Sequence, residues 1–352
     1  MNRSWSWRLG AALLATAALA AADPRGAVAQ PPAIVWQSQT SGVTSRLRGI
    51  SAVSASVAWA CGGNGTVLRT VDGGRRWQLL PVPGAESLDF RDVDAMSDRV
   101  AHVLSIGTGA ASRIYETSDG GAHWDLRFAN TDPRVFLDAM AFWDETRGMA
   151  VGDSVDGRFV ILVTTDGGRT WTRVPADRLP PALPGEGAYA ASGTNVAVFG
   201  RGDVWIGTTA ARVLRSPDGG QTWRVANAPL AHGTSAGIFS IAFRDAQHGI
   251  VVGGDYQKES EASDNAAVTV DGGATWTLVR GLSGFRSVVA WVPGAPRAIL
   301  AFGPSGADSS SDEGRTWSPL AAEGFDSLSM VAAGGAAWAT GQRGRISKLT
   351  LP

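Results

Sequence analysis

One short motif recurs six times in this chain: Ser or Thr, any residue, Asp, any residue, Gly, two residues, Trp. The copies run from Thr70 to Trp77 (TVDGGRRW), Thr117 to Trp124 (TSDGGAHW), Thr164 to Trp171 (TTDGGRTW), Ser216 to Trp223 (SPDGGQTW), Thr269 to Trp276 (TVDGGATW) and Ser310 to Trp317 (SSDEGRTW). Successive tryptophans are 47, 47, 52, 53 and 41 residues apart, the repeat length of propeller blades. Asp-Gly-Gly between two apolar runs signals a hairpin. Glycine supplies positive φ without a Cβ clash. The carboxylate accepts turn N–H groups, the hydroxyl supports the same loop, and the Trp opens the next strand and packs its apolar face. Asp72, Trp77, Asp119, Trp124, Asp166, Trp171, Asp218, Trp223, Asp271, Trp276, Asp312 and Trp317 are therefore read as structural staples. The six acids lie one per repeat on separate turns, which does not suit paired acid–base catalysis.

Between the motifs the chain is a series of short β-rich runs broken by Gly, Ser and Asn, as in a meander. In the first repeat they are 47–53, 57–62, 65–70 and 75–80. The second run returns as AWACGG (58–63), GMAVGD (148–153), VWIGTT (204–209), GIVVGG (249–254) and AWATGQ (337–342). Its terminal glycines suit close packing and a tight turn. A seventh unit, 327–349, has three strands and no motif. The segment 34–37 is expected to supply its outer strand by pairing around 344–348, with Trp36 taking the place of the motif Trp. The predicted fold is all-β: a seven-bladed β-propeller of four-stranded antiparallel blades, the last closed by the N-terminal strand, which removes free sheet edges.

The first 29 residues have the layout of a cleaved signal peptide: Arg3 and Arg8, an apolar run from Leu9 to Ala22, and Ala27-Val28-Ala29 before Gln30. The expected division is a signal peptide over 1–29 and a single propeller domain over 30–352, giving a secreted or periplasmic, soluble, monomeric protein with no transmembrane segment. The formal net charge of −1 offers no basic field for nucleic acid. The single cysteine, Cys61, excludes a disulfide within the chain and reads as a small buried hydrophobe.

The pattern AWACGGNGTVLRTVDGGRRW (58–77) resembles the BNR/Asp-box repeat family, and within it the photosystem II stability/assembly factors and their bacterial relatives. That resemblance implies a non-enzymatic, exported binding protein that assists assembly of membrane subunits through an arginine-rich surface. Some relatives carry an oxidoreductase label, but no Gly-rich nucleotide loop, haem Cys pair or metal-ligand spacing is visible here. No cofactor, metal site or catalytic residue is expected.

Propeller connectivity sorts the loops. If the motifs join third and fourth strands, the links between second and third strands and between blades share the opposite face. The insertions at 83–87, 130–134, 176–187, 227–236 and 255–265 fall there, where a rigid scaffold concentrates binding. Arg46, Arg48, Arg91 and Arg286 stand near the starts of inner strands, and Arg343 and Arg345 in the last hairpin. A planar guanidinium suits carboxylates and phosphates, so these six are the candidate rim for a protein or membrane-protein partner. The alternative classes are a sialidase-like glycoside hydrolase, for which the chain has only Tyr115, Tyr189 and Tyr256 as nucleophile candidates, and a redox protein.

Overall fold

The computed structural model describes residues 34–320 and 323–351; the expected signal peptide lies outside them. Seven four-stranded antiparallel sheets form, six of them in simple consecutive order. Their strands cover 47–79, 89–129, 137–173, 196–227, 236–279 and 288–320, taken here as blades 1 to 6. Blade 7 combines Ser327–Met330, Ala336–Thr340 and Ile346–Thr350 with Val35–Gln39 as its outer strand. The closure is as expected, with its register a little further along: Val35 pairs with Thr350 and Gln39 with Ile346. Trp36 faces Leu349, the place where a motif Trp faces the motif Ser or Thr, and stacks on Phe325 at 5.6 Å.

The core lies between blades. Trp59, Trp205 and Trp338 on second strands are fully buried. Each is covered by a cation, Arg69, Arg215 and Lys348, at 5.4, 5.6 and 4.9 Å. Cys61 is buried among apolar side chains. Inner-strand edges are tied across blades by side chains: Ser51 Oγ accepts Ala95 N, Asp94 accepts Phe142 N, Ser240 Oγ accepts Val289 N and Ser329 Oγ accepts Ala52 N.

In all six motifs the hydroxyl, not the carboxylate, is the buried hub. Thr117 Oγ1 accepts Gly121 N at 2.8 Å and donates to Asp119 at 3.0 Å, while Asp119 accepts His123 N at the exposed end of the turn. The second motif glycine does more than turn the chain. At Gly121, Gly168 and Gly273, φ is between +81° and +87°, and a Cβ would press on Leu80, His102 and Trp205 of the preceding blade. The motif thus fastens each hairpin to its neighbour. Thr117→Val should cost about 1–3 kcal/mol in a urea melt, because it leaves a buried N–H without an acceptor. Asp119→Ala should cost less; a larger loss from Asp119→Ala would reverse this ranking.

Candidate functional site

The motifs do join third and fourth strands, so the long insertions lie on the other face. A cavity of about 620 Å³ opens there at the mouth of the central channel, and the insertion at 255–265 reaches it with Tyr256 and Glu259. Strand pairing explains its lining. In blades 1, 2, 3 and 5 the inner strand carries a bulge against the second strand, between Leu47 and Gly49, Phe90 and Asp92, Leu137 and Ala139, and Ile238 and Ser240. The extra residues are Arg48, Arg91, Asp138 and Phe239, and all four line the cavity. Bulges re-aim side chains in this way. The glycines ending second strands make room: a Cβ on Gly62, Gly152 or Gly253 would lie 1.9–2.3 Å from a carbonyl at the entry to the inner strand. By the same register, blades 4, 6 and 7 place Thr194, Ser287 and Asp326 at this position. Ser287 and Asp326 line the cavity as well, so six blades each give it one residue from this position.

The predicted arginines divide. Arg46 donates to both oxygens of Asp326, at 2.9 and 2.6 Å, which holds its proton more tightly than usual. Arg91 is paired with Asp89 at 2.7 Å and reaches the Ala190 carbonyl at 2.6 Å. Arg48, half-buried, has no hydrogen bond or ion pair among the described residues. Burial, then the Arg91 and Arg46 charges, lowers its pKa to about 10. Arg343 and Arg345 share this face but do not line the cavity. Arg345 is held by Gly324 O at 2.7 Å and Glu323 at 3.1 Å.

Arg286 does not belong to the rim. It is 1 % exposed and donates to Asp308 at 2.7 Å and to its neighbour's carbonyl, Phe285 O, at 2.7 Å. Register puts it one residue out of phase with Arg48. It occupies the core position that Leu47, Phe90, Leu137, Ile238 and Phe325 fill in other blades.

Sequence reasoning missed the rest of the lining. Tyr189 stacks on Phe239 at 3.8 Å. Tyr256, 44 % exposed, stands edge-on to Tyr189 at 6.3 Å, and Phe285 edge-on to Phe239 at 4.6 Å. Asp138 is 1 % exposed. Burial, with Asp153 adding, pushes it well above the usual carboxylate range. Asp153 is raised too, by burial, against an opposing hydrogen bond from Ala188 N. The Pro-rich insertion behind this wall is pinned by Glu186, whose carboxylate is buried against Arg212 and Thr208. Tyr115 lies away from the mouth, beside Phe90 with its hydroxyl on Arg113. No group of three His, Cys, Asp or Glu among the described residues is placed to hold a metal, and none of their helices is long and apolar enough to cross a membrane.

The family model for the photosynthesis system II assembly factor YCF48 matches residues 86–197. The chain is 25% identical over 272 residues to the photosystem II assembly protein Ycf48 of Synechococcus sp. (strain JA-2-3B'a(2-13)), spanning 56% of this chain and 79% of that one. It is 28% identical over 152 residues to the photosystem II assembly lipoprotein Ycf48 of Synechococcus sp. (strain CC9902), spanning 40% of this chain and 41% of that one. The solved structure of YCF48 bound to D1 peptide superposes with a TM-score of 0.65 at 16% identity, over 93% of this chain and 99% of that one. At that identity the superposition speaks for the fold.

Proposed function

We propose that this chain, a photosystem II assembly factor-like β-propeller, is an exported, non-enzymatic binding protein that captures a segment of another polypeptide at the channel mouth. The observation that carries this reading is Arg48. A half-buried guanidinium lining the cavity, crowded by two other arginines and without an ion-pair partner among the described residues, favours an incoming anionic group. A related propeller has been solved with a D1 peptide bound, which supports a protein ligand. A relative named as a lipoprotein, together with the leader pattern at 1–29, supports work outside the cytoplasm. Assembly is the task in the relatives' names. For this chain we read it as holding a membrane-protein segment, with the propeller itself a soluble monomer and the six repeat turns as structural Asp-boxes.

The test is charge reversal. Arg48→Glu with Arg91→Glu should abolish capture of partners from the native envelope at low salt, and wild-type capture should weaken as salt rises. Arg75→Glu, Arg169→Glu and Arg315→Glu together, on the motif face, should leave capture intact. Equal loss from both sets, with melting curves unchanged, would move the binding surface elsewhere.

A further inference from the structure

We propose that the mouth reads a dipolar segment: an acidic group seated on Arg48 and, further along the same polypeptide, a basic side chain that passes Tyr189 and Tyr256 to reach Asp138 and Asp153. This rests on the binding reading above and deepens it by naming the class of partner. The two poles sit on one ring. Blades 1 and 2 contribute Arg48 and Arg91, and blade 3 contributes Asp138. They do not satisfy each other. The charges that act most on Arg48 are Arg91, Arg46, Asp326 and Asp89, whereas the charge acting on Asp138 is Asp153.

Asp138 lines the cavity while almost fully buried, and its Oδ2 has no hydrogen-bond partner among the described residues. A buried carboxyl oxygen left unpaired is costly. Asp153 has one backbone donor, Ala188 N, and no cationic partner among those residues. The Asp153 charge makes Asp138 harder to ionise, and burial does the same to Asp153, so a cation brought to this pair stabilises the charged form of both. The approach to them is aromatic. Tyr189 lies against Phe239, with Tyr256 exposed beside it, and Asp153 and Asp255 add negative potential around Tyr189. Aromatic faces backed by carboxylates attract cations. The aliphatic stem of Lys or Arg packs on such rings while its head goes to the acid. A metal ion has no aliphatic stem to pack on the rings, and a purely acidic partner would leave Asp138 as it is.

The probe is a library of eight-residue peptides, blocked at both ends. Each carries one Asp and one Arg at separations from one to six residues, with companions in which Arg is replaced by Gln or Asp by Asn. Fluorescence polarisation at low salt should show the best dipolar peptides binding at least about ten-fold tighter than their Gln companions. Asp138→Asn with Asp153→Asn should erase that gain and leave the acid-only peptides unchanged. Arg48→Gln should erase the contribution of the acid. If replacing Arg by Gln alters affinity less than two-fold while binding still depends on Arg48, the dipolar inference falls and the binding reading stands. If no peptide binds, both fall. Because the decisive substitution is in the peptide, the result does not depend on a variant protein folding.

Discussion

A chain beginning at Thr40, without the Val35–Gln39 strand, is expected to melt roughly 7 °C below the longer chain and to leave the monomer peak on size exclusion. Three losses add. The Ile346–Thr350 strand loses its outer partner over five residue pairs and becomes an open edge, a template for association. Trp36 leaves its place beside Phe325 and Phe302, at 5.6 and 5.5 Å, and burying such a ring contributes about 1.5–3 kcal/mol. Gln39 leaves the repeat turn of blade 1, where it donates to Gly73 O at 3.0 Å and accepts Trp77 Nε1 at 2.8 Å. The strand therefore ties blade 7 to blade 1 as well as completing blade 7. A total near 5 kcal/mol is a large part of a typical domain's stability and corresponds to roughly 7 °C at this size. Trp36→Ala should fall between the two, since it keeps the backbone ladder. A truncated chain that stayed monomeric and melted within about 3 °C of the longer one would show that ring closure contributes little.

The motif made the architecture legible because each copy encodes a turn through backbone chemistry that does not depend on distant residues. Hydroxyl, acid and glycine sit within five positions of one another, and the Trp follows. Closure was legible for a related reason: a blade with three strands needs a fourth, and the stretch 34–37, which contains Trp36, lies outside the six motif blades. The mouth was harder. Which residues face it is decided by a one-residue bulge, and a bulge is a property of two strands pairing. The inner-strand starts LRGI (47–50), FRDV (90–93), LDAM (137–140) and IFSI (238–241) align as apolar, variable, small, apolar, and the variable residue is the one that lines the cavity. Laying those four side by side would have shown Asp138 and Phe239 beside the two arginines. The same alignment misleads at FRSV (285–288), where Val288 pairs with Phe302, so that Ser287 takes the place of Arg48 and the arginine falls one position earlier, in the core. Asp138 carries no local signal at all: an acid inside an apolar strand reads as a solvated edge until its neighbours are known.

Arg286→Met is expected to lower stability by about 3–5 kcal/mol in a urea melt, the cost of leaving a buried charge without its partner. Asp308 is fully buried, and its other carboxyl oxygen, Oδ1, already has no partner among the described residues. With the guanidinium gone, Asp308 retains the Ser283 N–H at 3.2 Å. Burial alone works against the Arg286 charge, and Asp308 opposes that effect, so the pair persists as a unit. Replacing both, with Arg286→Met and Asp308→Leu together, should recover most of the loss, because the equivalent core position is apolar in five other blades and a well-packed apolar pair can match a buried ion pair. Ser283 and the Phe285 carbonyl, which Arg286 also bonds, keep the recovery from being complete. Partner capture by the double variant should equal that of the parent, in contrast to Arg48→Glu with Arg91→Glu. If Arg286→Met instead melts within about 1 kcal/mol of the parent and loses capture, the side chain contacts the partner and the register argument that removed it from the rim fails.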